Sequence, residues 1–323
     1  KPGFLYTDSP LQDSEAVTGP SILDRLKSGR MKEPWFNYIL LMDLHRSVKY
    51  GVPKEFFSEQ YGDTDYDKML SAIDVWLGKF LEHVNLDNTI VVITGDHGDF
   101  IPTKKVGYEM TYIPSLFDPG RKVKKKLPKS LHGIAYKLFL GVRFLAVPAR
   151  NYFLKRKLTP LEMRSLSVRG YRHLWELYDD TVRVPLLISG CGIKKTNQII
   201  SQQVRHIDIM PTLAEMIGMP FDYDKVEGRS VLPLIKGEKM DLEPAFIETQ
   251  ERRLPTRIGN SIGVRTDEYK YWRARKNPKK HVELYDLKND PDELTNLAKQ
   301  RPDLVEYFEN LICEKYKNKH EES

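Results

Sequence analysis

The hydrophobic pattern of the chain consists of short apolar runs and one long amphipathic stretch. The runs Phe36–Met42, Thr89–Thr94 and Val184–Ser189 are typical of strands that are buried on both faces. Between the first two runs, Asp63–Val84 carries apolar side chains at spacings of three and four, which predicts a helix. Strand, helix and strand in this order predict a right-handed βαβ unit in an α/β fold, a mainly parallel sheet sandwiched by helices.

The rest of the chain predicts a second, smaller unit. Two further regions belong to the larger unit. The first 33 residues are polar and turn-rich. Asp208–Ile217 predicts a helix with Asp208 as its N-cap. Four short strands in antiparallel order and the helical stretch Asp292–Lys315 predict an α+β subdomain. We therefore expect a partial α/β domain at 1–240 and a C-terminal α+β subdomain at 241–323. The four predicted strands are Ala245–Thr249, Ser261–Thr266, Tyr269–Arg275 and Val282–Tyr285.

Residues 101–170 interrupt the α/β alternation and form a predicted basic insertion. Two basic runs, Arg121–Lys126 and Arg150–Lys157, flank the apolar stretch Tyr136–Val147. This pattern indicates one or two amphipathic helices. Two interpretations stay open: a helix packed on the body with a solvated basic face, or a surface at 121–157 that contacts anionic lipid or acidic glycan.

Composition narrows the class of protein. The 323 residues, 40% of them hydrophobic, are enough for one large α/β domain with an appendage. The net charge of +6 is modest and comes largely from the insertion, so we expect no nucleic-acid partner. Cys191 and Cys313 are the two cysteines, which exclude a disulfide framework. Because Lys1 is not a start and no signal-peptide pattern follows, we expect the chain to begin inside a longer protein.

The strongest chemical signal is the string Val91–Asp99, in which Asp96 and His97 directly follow a predicted strand. Ligand sites of parallel sheets form beyond the carboxyl ends of the strands. A carboxylate and a neutral imidazole are both good ligands for a divalent cation, and Gly95 and Gly98 let the backbone approach a ligand closely. We therefore predict that Asp96 and His97 form part of a metal site.

Three further residues are candidates for the same sheet edge. His45 follows the first predicted strand and is either a surface residue or a catalytic group that hydrogen-bonds an anion or protonates a leaving group. His173 and Arg172 precede the strand Val184–Ser189 and are either exposed basic loop residues or a source of the positive charge that oxyanion hydrolysis requires. For the pair His206 and Asp208 we favour a structural role.

An ordered series of short motifs resembles the sulfatase family of the alkaline-phosphatase-like fold. The resemblance covers roughly residues 34–100 and 171–311, and its most specific parts are Thr94–Gly98 and Leu284–Leu297. The other motifs in the series are Asp43-Leu44-His45, Asp87–Val92, Leu177–Asp180, Val182–Ile188, Ile207–Leu213, Gly228–Ser230, Leu232–Leu234 and Tyr269–Tyr271.

The resemblance implies hydrolysis of sulfate esters on a sulfated small molecule or glycan. It implies a divalent metal, usually Ca²⁺, held partly by Asp96, with His97 as a ligand or next to one. His45 matches the family's histidine near the sulfate and leaving group, and His173 falls near a residue that contacts the sulfate.

The sequence departs from the family in its nucleophile. The family uses a cysteine or serine in C/S-x-P-x-R, oxidised to formylglycine, whereas Cys191 is followed by Gly-Ile-Lys and Cys313 by Glu-Lys-Tyr. We expect the formylglycine upstream of this chain, which alone should be inactive. Two alternatives stay open: a phosphate or phosphonate ester hydrolase or transferase of the same superfamily, and a non-catalytic binding module.

Overall fold

The chain folds into two compact units, which we describe in a computed structural model. The model describes residues 4–8, 22–29, 33–44, 52–98, 156, 158–168, 176–193, 198–249 and 260–321. The first unit contains the described residues up to Thr94 together with 158–168 and 185–192. The second unit contains 95–98, 176–184 and the described residues from 193 onward. These units do not test the predicted boundary between residues 240 and 241, which stays a prediction.

The first unit contains a parallel pair of strands near the start of the chain. Strand β1 (Phe4–Asp8) pairs in parallel with β2 (Asn37–Leu41), and the short helix α1 (Ile22–Lys27) lies between them in sequence. The hydrophobic pattern predicted β2 but no element in the first 33 residues. Five- and six-residue elements are too short to show a clear hydrophobic period, so β1 and α1 were not predicted.

The predicted long helix is confirmed as α2 (Asp65–Leu81). Its N-terminus is a capping box: the Asp67 N–H donates to Thr64 Oγ1 at 3.2 Å, and the Thr64 N–H donates to Asp67 Oδ2 at 3.0 Å. One stripe of the helix is buried against Val52 and Phe56, which lie in the connection after β2. The helix contributes Met69, Ala72 and Ile73 to this cluster, and Trp76 of the same helix is also buried.

The other two predicted strands of the α/β region are also present. Strand β3 (Ile90–Thr94) pairs with β4 (Leu186–Gly190), but the pair is antiparallel, with Ile90 opposite Gly190. The sequence pattern predicted a mainly parallel sheet. The long segment between these strands imposes no single crossover geometry, so either direction is accessible. The described strands of this region therefore include one parallel and one antiparallel pair.

The second unit is built on the predicted antiparallel sheet. Its four strands are hydrogen-bonded to one another in the order in which they follow along the chain. The helix α7 (Pro302–Glu321) follows them. The strands are β5 (Ala245–Glu248), β6 (Ser261–Arg265), β7 (Tyr269–Ala274) and β8 (Glu283–Asp286), and the shorter helices of this unit are α4 (Asp179–Val182), α5 (Ile209–Met216) and α6 (Leu232–Ile235).

Strand β7 buries side chains on both of its faces, because successive strand residues point in opposite directions. On one face, Tyr271 stacks on Phe308 of α7 with ring centroids 5.8 Å apart. On the other face, Trp272 packs with Tyr285 and with Leu177, which precedes α4. The two faces thus serve two hydrophobic clusters. The first also contains Ile262, Val264, Leu284 and Ile312.

Helix α7 begins at Pro302 rather than at Asp292, so the predicted helix start is wrong. The Asp290 carboxylate accepts hydrogen bonds from the N–H groups of Leu294 and Thr295, at 2.8 and 2.7 Å. This local side-chain pairing offers the backbone an alternative to helix and holds a turn in place.

Most of the predicted insertion lies outside the described residues, including 121–157 except Arg156. Its one described helix is α3 (Pro160–Val168). Within the part of the chain that the structure describes, no helix is long and apolar enough to cross a membrane.

Candidate functional site

The short loop after β3 carries the predicted metal ligands. The Asp96 and His97 side chains are 67% and 69% exposed, so a solvated ion can reach both. His97 Nε2 lies 3.8 Å from Asp96 Oδ2, and the His97 N–H donates to Asp96 Oδ1 at 2.9 Å. The structure therefore brings the two side chains together with one carboxylate oxygen and one ring nitrogen facing each other.

The second ring nitrogen of His97 is engaged by the backbone. His97 Nδ1 lies 2.7 Å from the carbonyl oxygen of Gly98. A carbonyl oxygen can only accept a hydrogen bond, so this contact is a hydrogen bond when Nδ1 carries the proton. In the neutral ring, Nε2 then keeps its lone pair. Histidines that bind metals show this arrangement, with one nitrogen oriented by a carbonyl and the other available.

Gly98 also fixes the loop through its own N–H, which donates to the Thr181 carbonyl at 2.8 Å. A Cβ atom at residue 98 would lie 2.0 Å from the Asp180 carbonyl oxygen, so no other residue fits there without a shift. From the sequence, this glycine was expected to allow close approach of the backbone to a ligand. The structure instead shows close approach to the backbone of α4.

Helix α4 is in turn attached to the antiparallel sheet by charges. Arg265 Nε and Nη2 donate to the two oxygens of the Asp179 carboxylate at 2.9 and 2.8 Å. Lys270 forms ion pairs with Asp179 and, at 2.7 Å, with Glu293. The Asp179 N–H donates to Glu293 Oε2 at 2.7 Å. We call Asp179, Arg265, Lys270 and Glu293 the ionic cluster.

Burial shifts the pKa values of the ionic cluster, and the opposite charges act against it. Burial by itself raises the pKa of Asp179, but the Arg265 hydrogen bond and the Lys270 charge lower it to about 2. Burial lowers the pKa of Lys270 and raises that of Glu293, while their mutual attraction opposes both shifts. Of the two carboxylates, Asp179 is therefore the one that its surroundings hold firmly ionised.

The other predicted site residues fall into two groups. His45, His173 and Arg172 lie outside the described residues, so their placement stays a prediction. Asp208 is buried and is the N-cap residue of α5, as predicted. Its carboxylate makes no capping hydrogen bond to α5 and accepts instead from the Arg205 N–H and the Arg229 N–H, at 2.8 and 3.0 Å, which supports a structural role for Asp208.

Within the described residues, no group of three or more His, Cys, Asp or Glu side chains could hold a metal ion. Asp96 and His97 therefore do not form a complete metal cage within these residues, and their role as metal ligands stays a prediction. Cys191 and Cys313 are both free, so the one disulfide that the composition allows is not formed.

The fold has relatives among solved structures. The phosphonate monoester hydrolase of Agrobacterium radiobacter matches with a TM-score of 0.58 and 16% sequence identity, over 90% of this chain and 58% of that one. This likeness confirms the predicted α/β class of the alkaline-phosphatase-like fold. At that identity it shows the fold alone.

Sequence comparison then defines the family. The sulfatase family model matches residues 6–219, which is more than half of the chain, and the model of the C-terminal part of N-sulphoglucosamine sulphohydrolase matches residues 170–318. This chain belongs to the sulfatase family.

Two curated relatives illustrate the extent of the match. Arylsulfatase K of Gallus gallus is 31% identical over 141 residues, which are 42% of this chain and 26% of the relative. The Δ4,5-hexuronate-2-O-sulfatase of Bacteroides thetaiotaomicron is 32% identical over 127 residues, 38% of this chain and 25% of the relative. The matched part of the chain therefore spans about a quarter of the length of these relatives.

The ionic cluster was not predicted from the sequence. Asp179, Lys270 and Glu293 all lie in motifs that carry the family resemblance, but no role followed from those motifs. A lysine flanked by two tyrosines in a strand carries no signal of its complete burial. Its partners are near in space and distant in sequence.

Proposed function

We propose that the protein containing this chain is a metal-dependent sulfuric ester hydrolase and that Asp96 and His97 take part in its metal site. The observation that carries the proposal is the exposed pair of donors, one carboxylate and one oriented imidazole, on the loop after β3 in a chain of the sulfatase family. When bound, the cation polarises the oxygens of the ester that is hydrolysed.

The donor set fits a divalent cation and leaves its identity to a direct test. A carboxylate suits Ca²⁺, the metal that we propose, whereas an imidazole nitrogen is preferred by transition metals such as Mn²⁺ and Zn²⁺. If the ion is Ca²⁺, His97 therefore stands next to it and orients Asp96 through the contacts described above. The remaining ligands come from outside the described residues.

The other roles in the proposal come from the sequence. His45 and His173 act as the catalytic histidines, one of them at the leaving-group oxygen, and Arg172 binds the anionic ester. The nucleophile is a formylglycine contributed from upstream of this chain. One relative is named for a sulfated hexuronate, which supports a sulfated small molecule or glycan as the substrate. The basic residues between 121 and 157 are then a contact surface for such an anion.

The test uses the full-length protein in calorimetric titrations with Ca²⁺ and, separately, Mn²⁺. We expect Asp96→Ala to weaken binding of the preferred ion by at least about tenfold. Asp87→Ala removes an exposed carboxylate from the turn before β3 and is the matched control, which should bind like the wild type. Equal affinity in the wild type and Asp96→Ala would remove Asp96 from the metal site.

Activity is measured in parallel on 4-nitrophenyl sulfate and on a 4-nitrophenyl phosphonate ester. We expect the sulfate ester to be the better substrate, and Asp96→Ala to lose that turnover. Preference for the phosphonate ester would favour the alternative hydrolase class. Cation binding without turnover of either ester would favour a non-catalytic module.

A further inference from the structure

We infer that the ionic cluster is a positioning device that holds the Asp96–His97 loop in its ligand-binding geometry. This inference rests on the proposed metal site. It assigns to Asp179, Lys270 and Glu293 a task that goes beyond holding the antiparallel sheet together. All contacts that carry it lie within the second unit.

The first link joins the loop to α4 through one residue. The Gly98 N–H is held by the Thr181 carbonyl at 2.8 Å, while the Gly98 carbonyl oxygen contacts His97 Nδ1 at 2.7 Å. The absence of a Cβ lets the loop lie directly on the backbone of α4. A displacement of α4 therefore moves Gly98, and with it the orientation of the His97 ring.

The second link fixes α4 at its first residue, by side chain and backbone together. The Asp179 carboxylate is held by the Arg265 fork and by Lys270, and the Asp179 N–H is held by Glu293. The preceding residue, Tyr178, packs edge-on against Trp272 with ring centroids 5.0 Å apart. These directional contacts leave α4 little freedom to shift or rotate.

The composition of the ionic cluster also favours positioning over bulk stability. The Lys270 and Glu293 side chains are 0% and 1% exposed, and such buried charges are seldom more stabilising than apolar side chains of the same volume. Glu293 in addition has a backbone φ of +52°, a left-handed conformation that is unfavourable for a non-glycine residue. Unlike an apolar core, this arrangement provides one fixed set of hydrogen-bond directions at Asp179.

A purely structural role makes a different prediction, and the same strand offers a control for it. On the opposite face of β7, Arg273 Nε and Nη2 contact the two Glu309 carboxylate oxygens at 2.8 and 3.1 Å. This pair ties β7 to α7 instead of α4. Arg273→Met therefore damages a bidentate ion pair of the same sheet without touching the connection to the loop.

The experiment compares Asp179→Asn, Gly98→Ala, the double variant and Arg273→Met in the full-length protein, at a temperature well below every unfolding midpoint. We expect each of the first two to weaken Ca²⁺ binding by about tenfold or more, as removal of groups that orient metal ligands does. The loss of Ca²⁺ binding free energy in the double variant should be much smaller than the sum of the two single losses, because both changes interrupt the same series of contacts. Arg273→Met should lower the melting temperature and keep the affinity within about twofold of wild type.

Amide hydrogen exchange of the loop peptide is a second readout that does not require metal. Asp179→Asn should accelerate exchange at Gly98 by about tenfold or more, and Arg273→Met should not. Wild-type affinity and exchange in Asp179→Asn would overturn the inference, as would equal weakening in Arg273→Met. A wild-type protein that binds no cation would overturn the proposed metal site instead, and the exchange data would still decide whether the ionic cluster positions the loop.

Discussion

Replacing Lys270 by Met tests the energetics of the ionic cluster directly. The Lys270 side chain is fully buried and pairs with Asp179 and Glu293. Met retains most of the volume of the aliphatic stem, so the loss is mainly one of charge. Breaking a buried ion pair by removing one partner costs roughly 3–5 kcal/mol. Because Asp179 keeps its Arg265 fork and only Glu293 loses its cation, we expect a loss of about 3 kcal/mol at pH 7.5.

The loss of folding stability in Lys270→Met should depend on pH in a defined direction. Burial already raises the pKa of Glu293, and the Lys270 charge opposes that shift, so removing Lys270 raises this pKa further. A carboxyl whose pKa is higher in the folded state destabilises the fold when it is ionised, and protonation relieves that penalty as the pH falls. The difference in stability between Lys270→Met and wild type should therefore shrink between pH 7.5 and pH 5.

Urea unfolding at several pH values measures both quantities. Lys288→Met is the matched control, because Lys288 makes a similar ion pair with Glu268 at the surface, where both side chains are more than half exposed. Exposed pairs contribute little, so this variant should be hard to distinguish from wild type. The predicted role of the buried ion pair would be refuted if Lys270→Met lost no more unfolding free energy than Lys288→Met. It would also be refuted if the loss in Lys270→Met did not change with pH.

Two further predictions concern the individual contacts of each unit. The pKa of Asp179 is lowered from 3.8 to about 2, so the ionised carboxylate contributes about 2 kcal/mol to the folding stability above pH 4. This contribution is lost as the pH falls toward 2. In acid unfolding, the stability of Asp179→Asn should therefore fall less steeply over that range than that of the wild type. Thr64→Ala removes the capping box with Asp67 and should lower the stability measured by thermal or urea unfolding by about 1 kcal/mol. Thr64→Ser keeps the hydroxyl and should retain most of that stability. Equal losses in the two variants would argue against the cap.

The sequence predicted the elements whose hydrophobic pattern is long or continuous. Helix α2 has a clear period of three and four, and β3 is an uninterrupted β-branched run, so both were located to within a few residues. Strand β1 and helix α1 were missed because such short elements are stabilised by their neighbours rather than by a pattern of their own. The antiparallel direction of β4 depends on tertiary pairing, which hydrophobic periodicity does not encode.

The candidate site divides in the same way between local and distant information. Asp96, His97 and Gly98 stand next to each other in the chain, so their chemistry could be predicted from a short string, although the reason for the glycine could not. Lys270 and Glu293 are the opposite case. Each is unremarkable in its own segment, and only the folded sheet brings them to Asp179.

This division has a physical cause. Asp96 and His97, which we propose as metal ligands, are more than half exposed, so burial of their own side chains does little to hold them in place. Their geometry must come from the backbone that carries them, and that backbone is fixed at Gly98 and, through Thr181 and Asp179, by charges from another part of the chain. In the proposed site, the exposed end of this path binds the ion, and the buried end sets how accurately Asp96 and His97 are placed. Substitutions at the two ends should therefore weaken the same binding event for different reasons, and only those at the buried end should also change the stability of the fold.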